Sequence, residues 1–283
     1  MERIAVGVDG SRAADRALHW AVQEAELHEA SIDLVHAYVM HPYASLFGDT
    51  DRNLAEARLD KVIERNRALL DRVTWSSTMV DTAGAAAAAL VDAAKDADLV
   101  VVGSRGAGGF ARLTLGSTAY RTAAHAPAPV AVIAGDDTGA DGDRSIVVGI
   151  DDAPVSRRAL RWALEEAACR STSVTVVHGY LLPIDMAPSA ALDQGRFERA
   201  CAQARDAAAD LIDRVVGAAR IPPGVEVSKV VDAGTPAGTL LDHAENRLLV
   251  VGTRGQGAFS RAVFGSVSQQ VVHHADHPVV VVP

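Results

Sequence analysis

Short runs of consecutive apolar residues alternate along this chain with longer segments whose apolar positions recur every three or four residues. The first run, 4–8, is followed by a helical period over 12–29, and the same alternation continues to the end. Strands that are apolar throughout are typical of a parallel sheet covered by helices on both faces, so the pattern predicts an α/β fold. In the first half it predicts strands at 4–8, 32–38, 77–80, 99–102 and 130–133 and helices at 12–29, 51–72, 85–95 and 117–125.

The whole pattern occurs twice. Ile4–Asp9 matches Ile146–Asp151 at an offset of 142 residues, and Leu99–Ser117 matches Leu248–Ser266 at an offset of 149. The chain is therefore a tandem duplication. We predict domains at 1–135 and 145–283, joined by an acidic, glycine-rich linker at 136–144. In the second half we expect strands near 146–150, 174–179, 226–231, 248–251 and 279–282, and helices near 155–170, 190–218, 237–245 and 266–274.

Composition narrows the class of protein. The chain has 283 residues, 49% of them apolar, and a net charge of −9. It is long enough for two ordinary cores, and its acidity argues against nucleic-acid binding. Two cysteines are too few for a disulfide framework or a thiolate zinc site, and both fall in segments where a small buried apolar residue is expected. With no signal-peptide pattern and no apolar run near 20 residues, we expect a cytoplasmic protein without a membrane span.

A glycine motif follows the fourth strand of each half. Both copies read G-x2-G-x9-G-S. Glycines let the backbone approach a ligand closely, and the first amides of the helix that follows point at an anion. The motif therefore predicts a phosphate site. Its members are Gly103, Gly106, Gly116 and Ser117 in the first half and Gly252, Gly255, Gly265 and Ser266 in the second.

A carboxylate ends the first strand of each half, at Asp9 and Asp151. If the first and fourth strands are neighbours where the strand order reverses, the carboxylate and the glycine loop face one crevice. A carboxylate there can accept hydrogen bonds from ribose hydroxyls, while the loop amides take phosphates. This combination favours a nucleotide over a bare phosphate.

These residues give the chain a resemblance to tandem-domain universal stress proteins, of the two-domain type frequent in actinobacteria. It covers nearly the whole chain and includes the strand histidines His36 and His178, Gly234-Thr235-Pro236, and a proline before each fifth strand. The resemblance implies Rossmann-like domains, each with a five-stranded parallel sheet of order 3-2-1-4-5. It also implies ATP in each domain and association through the fifth strand.

The resemblance also assigns residues. Ribose falls to Asp9 and Asp151, adenine to the backbone at Ala37 and Gly179, and phosphates to both glycine motifs. The halves differ in a second hydroxyl after the motif serine, which is Ser268 in the second half and Ala119 in the first. One hydroxyl contact is worth about 0.5–1.5 kcal/mol, so we predict two competent sites of unequal affinity.

The same residues also allow simpler, structural interpretations. The glycines can simply make turns, and Asp9 and Asp151 can be helix-capping groups. Arg105 and Arg254, inside the loops, can contact phosphate or solvent. The strand histidines are interpreted as core residues rather than catalytic ones. The cluster at 273, 274 and 277 is interpreted as cations at a helix end, not as a zinc site.

The function expected from the sequence is that of a binding protein. It is an ATP-binding stress or growth regulator that acts through nucleotide-dependent conformation or partner choice, with Mg²⁺ on the phosphates. Regulatory protein partners and a homodimer are part of this expectation. The alternative is an enzyme, a slow ATPase or nucleotidyl transferase, although no G-x4-G-K-[ST] motif is present and neither loop contains lysine. A third class is a structural dimerisation protein with degenerate sites.

Overall fold

The computed structural model describes residues 1–39, 50–82, 85–106, 115–135, 144–182, 194–253 and 264–283. The chain divides into two compact units. The first comprises residues 1–140, 276–281 and Pro283, and the second comprises 141–275 and Val282. Among the described residues, no helix combines the length and the apolar character needed to cross a bilayer.

Strands and helices alternate through the described residues. The strands are β1 Arg3–Gly7, β2 Ser31–Tyr38, β3 Trp75–Asp81, β4 Leu99–Gly103, β5 Val130–Ile133, β6 Ile146–Gly149, β7 Val174–Tyr180, β8 Val227–Ala233, β9 Leu248–Gly252 and β10 Val279–Val282. The helices are α1 Arg12–His28, α2 Thr50–Arg65, α3 Arg67–Leu70, α4 Ala86–Ala93, α5 Ser117–His125, α6 Pro154–Arg170, α7 Gln194–Gly217, α8 Pro236–His243 and α9 Ser266–His274. The predicted α/β fold is therefore confirmed.

The sheet of the first unit runs β3-β2-β1-β4-β5, with every pair parallel. Ile4 lies opposite Ile32 on one side and Leu99 on the other, so the strand order reverses between β1 and β4. The residues of β4 from Leu99 to Val101 are completely buried, because helices cover both faces of the sheet. This unit also includes most of β10, which pairs antiparallel with β5.

The second unit repeats the order as β8-β7-β6-β9, again parallel. Ile146 lies between Val174 and Leu248, as Ile4 does between its partners in the first unit. The amide of Thr253, directly after β9, donates to the carbonyl of Val282, which places the end of β10 in the fifth-strand position. The order 3-2-1-4-5 implied by the resemblance thus describes both halves.

The main difference from the predicted elements is a break in the helix expected over 51–72. It ends at Arg65 and resumes at Arg67, because Asn66 donates its side-chain amide to the carbonyl of Val62 and to Asp15. A side chain that competes for backbone carbonyls disfavours a continuous helix.

The expectation for the cysteines is wrong. Cys169 is exposed, near the end of α6, and Cys201 is partly exposed. Both lie on helical positions that the alanine-rich pattern does not separate from the buried ones.

Candidate functional site

The candidate site lies at the carboxyl end of β1 and β4 in the first unit. These strands are neighbours, so the segments that leave them, Val8–Gly10 and Ser104–Gly106, begin side by side. In open parallel sheets, the crevice at such a reversal of strand order is where ligands bind. The arrangement anticipated from the motif spacing, a carboxylate facing a glycine loop, is therefore present.

A cavity of about 470 Å³ occupies this crevice, which is within the size range of ligand pockets. All six residues assigned to the first-half site line it: Asp9, Ala37, Gly103, Gly106, Gly116 and Ser117. They come from the ends of three neighbouring elements of the sheet and from the start of α5. Arg105 also lines the cavity, so a cation is at hand for an anionic group.

The carboxylate of Asp9 has a structural contact as well as a place in the cavity. Its Oδ1 accepts a hydrogen bond from the amide of Ser11 at 2.9 Å, and the Ser11 hydroxyl accepts from the amide of Ala14 at 3.1 Å, which caps α1. Its Oδ2 faces the loop, since a Cβ added to Gly106 would lie 2.7 Å from it. Asp9 is exposed, so the helix contact and a ligand contact can coexist on one side chain.

The other wall of the cavity is the beginning of α5. The amide of Gly116 donates to the carbonyl of Ser104 at 2.7 Å, which holds the helix start against the end of β4. Ser117 is the first residue of the helix and is exposed, and Thr118 follows it in the cavity lining. The first amides of a helix have no partner within it and carry the positive end of its dipole, so this wall suits an anion. Residues 107–114 of the glycine loop lie outside the described residues.

The second half places its matching residues differently around Asp151. The Oδ1 of this carboxylate accepts from the amide of Ala153 at 2.9 Å and also from the hydroxyl of Ser156. That hydroxyl in turn accepts from the amide of Asp151 at 3.1 Å. Asp151 is half-buried, whereas Asp9 is exposed. Ser156 corresponds to Ala14, which has no side-chain donor, so this carboxylate is held more tightly in the second half.

Two predicted backbone positions of the second half are packed against helices. A Cβ at Gly179 would lie 2.9 Å from the Cα of Pro236 in α8, so this face of β7 is covered. A Cβ at Gly252 would lie 3.0 Å from a methyl group of Val155 in α6. Ala37, in contrast, lines the first-half cavity.

The second glycine motif keeps the helix start seen in the first. The amide of Gly265 donates to the carbonyl of Thr253 at 2.8 Å, and Ser266 begins α9, exposed as Ser117 is. Ser268 is buried and donates its hydroxyl to the carbonyl of Gly252, so it supports the loop from beneath. Gly255 and Arg254 lie outside the described residues.

His36 is a buried core group, as interpreted from the sequence, whereas its counterpart His178 is only partly buried. Nδ1 of His36 donates to the carbonyl of Val8 at 2.7 Å, and Nδ1 of His178 donates to the carbonyl of Ile150 at 2.8 Å. A carbonyl can only accept, so both rings carry the proton on Nδ1. Each bond fixes the backbone residue directly before the site carboxylate.

Apolar lining residues were missed by sequence reasoning. Leu115 lines the cavity and directly precedes the Gly-Ser pair, and Leu90 of α4 lines it as well. A repeated signal was available for the first, because the matching residue Phe264 is also apolar and buried. The same signal was available for Leu90, because the matching residue Leu240 is also apolar and buried.

Comparisons with known proteins agree with this architecture. The universal stress protein family matches residues 1–134 and 144–283. A universal stress protein of Mycolicibacterium smegmatis is 32% identical, over 99% of this chain and 96% of its own length. One of Mycobacterium tuberculosis strain H37Rv is also 32% identical, over 98% of this chain and 95% of its own.

Among solved structures, a universal stress protein from Archaeoglobus fulgidus superposes with a TM-score of 0.69 at 19% identity. It covers 99% of this chain and 97% of that one, which supports the fold. The family match in both halves and the similarity along nearly the full length lead to one conclusion: this chain belongs to the universal stress protein family, as a member with two such domains in tandem.

Proposed function

We propose that this chain is a cytoplasmic ATP-binding regulator of the stress or growth response, with one nucleotide site in each half. Nucleotide binding would change its conformation or its choice of protein partner. The observation that carries the proposal is the first-half cavity, where a carboxylate and the amino-terminal end of a helix face each other across one space.

The groups around this cavity fit the chemistry of ATP. The Asp9 carboxylate can accept hydrogen bonds from ribose hydroxyls, and the amides of Gly106, Ser117 and Thr118 suit phosphate oxygens. Arg105 adds a permanent positive charge. Mg²⁺ would accompany the phosphates and neutralise part of their charge. The apolar side chains of Leu90 and Leu115 suit the faces of a base.

Binding without efficient turnover is the function that these groups favour. Phosphoryl transfer needs a group that positions the attacking water and cations that stabilise the transferred charge. Among the described residues that line the cavity there is no lysine, and Arg105 is the cation present. A slow ATPase is the alternative function, and a turnover assay would detect it.

The test begins with the protein purified without added nucleotide, denatured, and analysed by mass spectrometry for released small molecules. Calorimetric titration with ATP and with GTP, with and without Mg²⁺, then gives affinity and stoichiometry. Asp9→Asn keeps an oxygen that can accept from the Ser11 amide but removes the charge, so the start of α1 stays capped. Asp60→Ala is the matched control, because Asp60 is exposed on α2 and does not line the cavity.

We expect up to two ATP per chain and a loss of about 10- to 100-fold in first-site affinity for Asp9→Asn, the range for a hydrogen bond to a charged group. Asp60→Ala should bind as the unmodified chain does. No released nucleotide together with no uptake on titration would overturn the proposal. Steady release of ADP well above one per minute would assign the enzyme alternative instead.

A further inference from the structure

A second cavity, of about 610 Å³, lies in the second half away from the strand ends. It is formed between α6 and the last turn of α7, together with the segment 218–223 that follows. Its floor is apolar, and the side chains that form it, Leu160, Leu164 and Val215, are almost fully buried. Pro222, in the following segment, adds an apolar rim. The cavity is of ligand-binding size.

The charged groups at this cavity are mainly arginines. Arg157, Arg161 and Arg220 line it, against a single carboxylate, Glu165. The net local charge is thus positive, although the chain carries −9 overall. Arginine stays protonated at any physiological pH, so this charge is permanent.

Two of these arginines have no partner in the part of the chain that the structure describes. Arg157 is paired with Asp152 at 3.1 Å. Arg161 and Arg220 make no hydrogen bond or ion pair with any described residue, and both are exposed at the cavity. A guanidinium group presents a planar set of donors that matches carboxylate and phosphate. Cations without partners above an apolar floor suit a ligand with an apolar body and an anionic head.

The first half shows that the fold itself does not require this cavity. Asp15 of α1 takes the place of Arg157, and it accepts hydrogen bonds from Arg65 and Asn66. The short helix α3 contacts α1 in this region, and its Leu70 is completely buried. The equivalent face is therefore closed.

The sign and pairing of charge on this face also differ between the halves. Arg72 pairs with Glu26 of α1 at 2.7 Å across the closed face. His19 stands where the second half has Arg161. The open, cationic face is thus specific to the second half.

We propose that this cavity binds a small amphiphilic anion, an apolar chain or ring that carries a carboxylate or a phosphate. The apolar part lies on Leu160, Leu164 and Val215, and Arg161 and Arg220 bind the head group. This site is separate from the nucleotide site proposed above, and its test does not depend on ATP binding.

The test uses the full chain and titration calorimetry below the micelle concentration of each probe. Decyl phosphate and decanoate differ only in the head group, decanol lacks the charge, and inorganic phosphate lacks the chain. The variants are Arg161→Gln, Arg220→Gln and the double change. Arg199→Gln is the control, since Arg199 is an exposed residue of α7, about 24 Å before the cavity at 1.5 Å per residue.

We expect decyl phosphate or decanoate to bind once per chain and decanol and inorganic phosphate to bind at least tenfold more weakly. Each single variant should weaken binding by about tenfold, the value of one charge-assisted contact, and the double variant by more. Arg199→Gln should change affinity less than twofold.

Three results would overturn the proposal. Equal weakening in all variants, or none, would mean adsorption rather than a site. Decanol binding as tightly as decyl phosphate would show that the arginines do not contribute to binding. Displacement of the probe by equimolar ATP would mean that the probe binds in the nucleotide cavity instead. The nucleotide proposal is judged by ATP titration alone, so failure of one proposal leaves the other intact.

Discussion

Replacing Gly103 by alanine tests how closely α1 must approach the end of β4. A Cβ at this position would lie 2.6 Å from both the carbonyl carbon and the carbonyl oxygen of Ala13, and 2.9 Å from its Cβ. Ordinary contact begins near 3.4 Å, so the first turn of α1 must retreat by about 0.8 Å. The obstacle is backbone rather than a side chain, and a change of rotamer cannot relieve it.

The expected cost follows from measured overpacking of cores, typically 1–3 kcal/mol, and we expect the upper part of that range, about 2–3 kcal/mol. In a unit of this size, each kcal/mol lowers the melting temperature by about 2–4 °C. The transition of the first unit should therefore fall by about 5–10 °C. Because Ala14 of the same turn lines the cavity, ATP affinity should fall as well.

Scanning calorimetry measures the shift, and hydrogen exchange of peptides from β4 and β9 identifies which half is affected. Gly116→Ala is the matched control. It adds the same methyl group to the same cavity, but its nearest contact would be 3.4 Å and its backbone is extended, so we expect less than about 1 kcal/mol. Gly252→Ala should be intermediate, because its 3.0 Å contact is with a valine methyl group. Equal shifts for Gly103→Ala and Gly116→Ala would refute the reasoning.

Three further predictions concern single side chains. Ser156→Ala removes a hydrogen-bond donor to Asp151, and we expect the second half to bind ATP several-fold more tightly as a result. Calorimetry in the Asp9→Asn background measures this affinity, and an unchanged value would contradict the prediction. Ser268→Ala removes the support beneath the second loop and should destabilise the second unit by about 1 kcal/mol in urea unfolding, with no change in the first. The hydrogen bond from the Glu2 amide, partly opposed by burial, lowers the pKa of Asp98 below its ordinary value. This carboxylate therefore stabilises the fold above about pH 4, and the stabilisation is lost as the pH falls through the lowered pKa. Asp98→Asn should thus unfold at lower urea than the unmodified chain at pH 7, and the difference should shrink below pH 3; a constant difference would refute this.

Much of the fold could be predicted because its signals are local. Uninterrupted apolar runs such as Val100–Val102 are sufficient to identify strands buried on both faces, and the helical period over 12–29 correctly located α1. The break at Asn66 could not be predicted in the same way. It depends on Asp15, a partner 51 residues away along the chain.

The candidate site, like the fold, could be predicted only in part. A carboxylate after the first strand and a glycine loop after the fourth were predicted to face each other if those strands are neighbours, because the carboxyl ends of parallel strands meet at one edge of the sheet. They did not predict that Asp151 is held by Ser156 or that Gly179 is covered by α8. Those differences arise from side-chain contacts between elements, which a repeat in the sequence does not record.

The sequence by itself thus determined the duplication, the α/β class and the residues that reach the end of β1 and β4, since these depend on apolar period and chain order. Only the tertiary structure decided how exposed each of these residues is to a ligand and which hydrogen bonds it already makes. Asp9 and Asp151 are the same residue in the same repeat, yet one is exposed in a cavity and the other is half-buried under a serine hydroxyl. The physical reason is that hydrogen bonding and burial depend on distances of a few tenths of an ångström between elements, and these are set by packing.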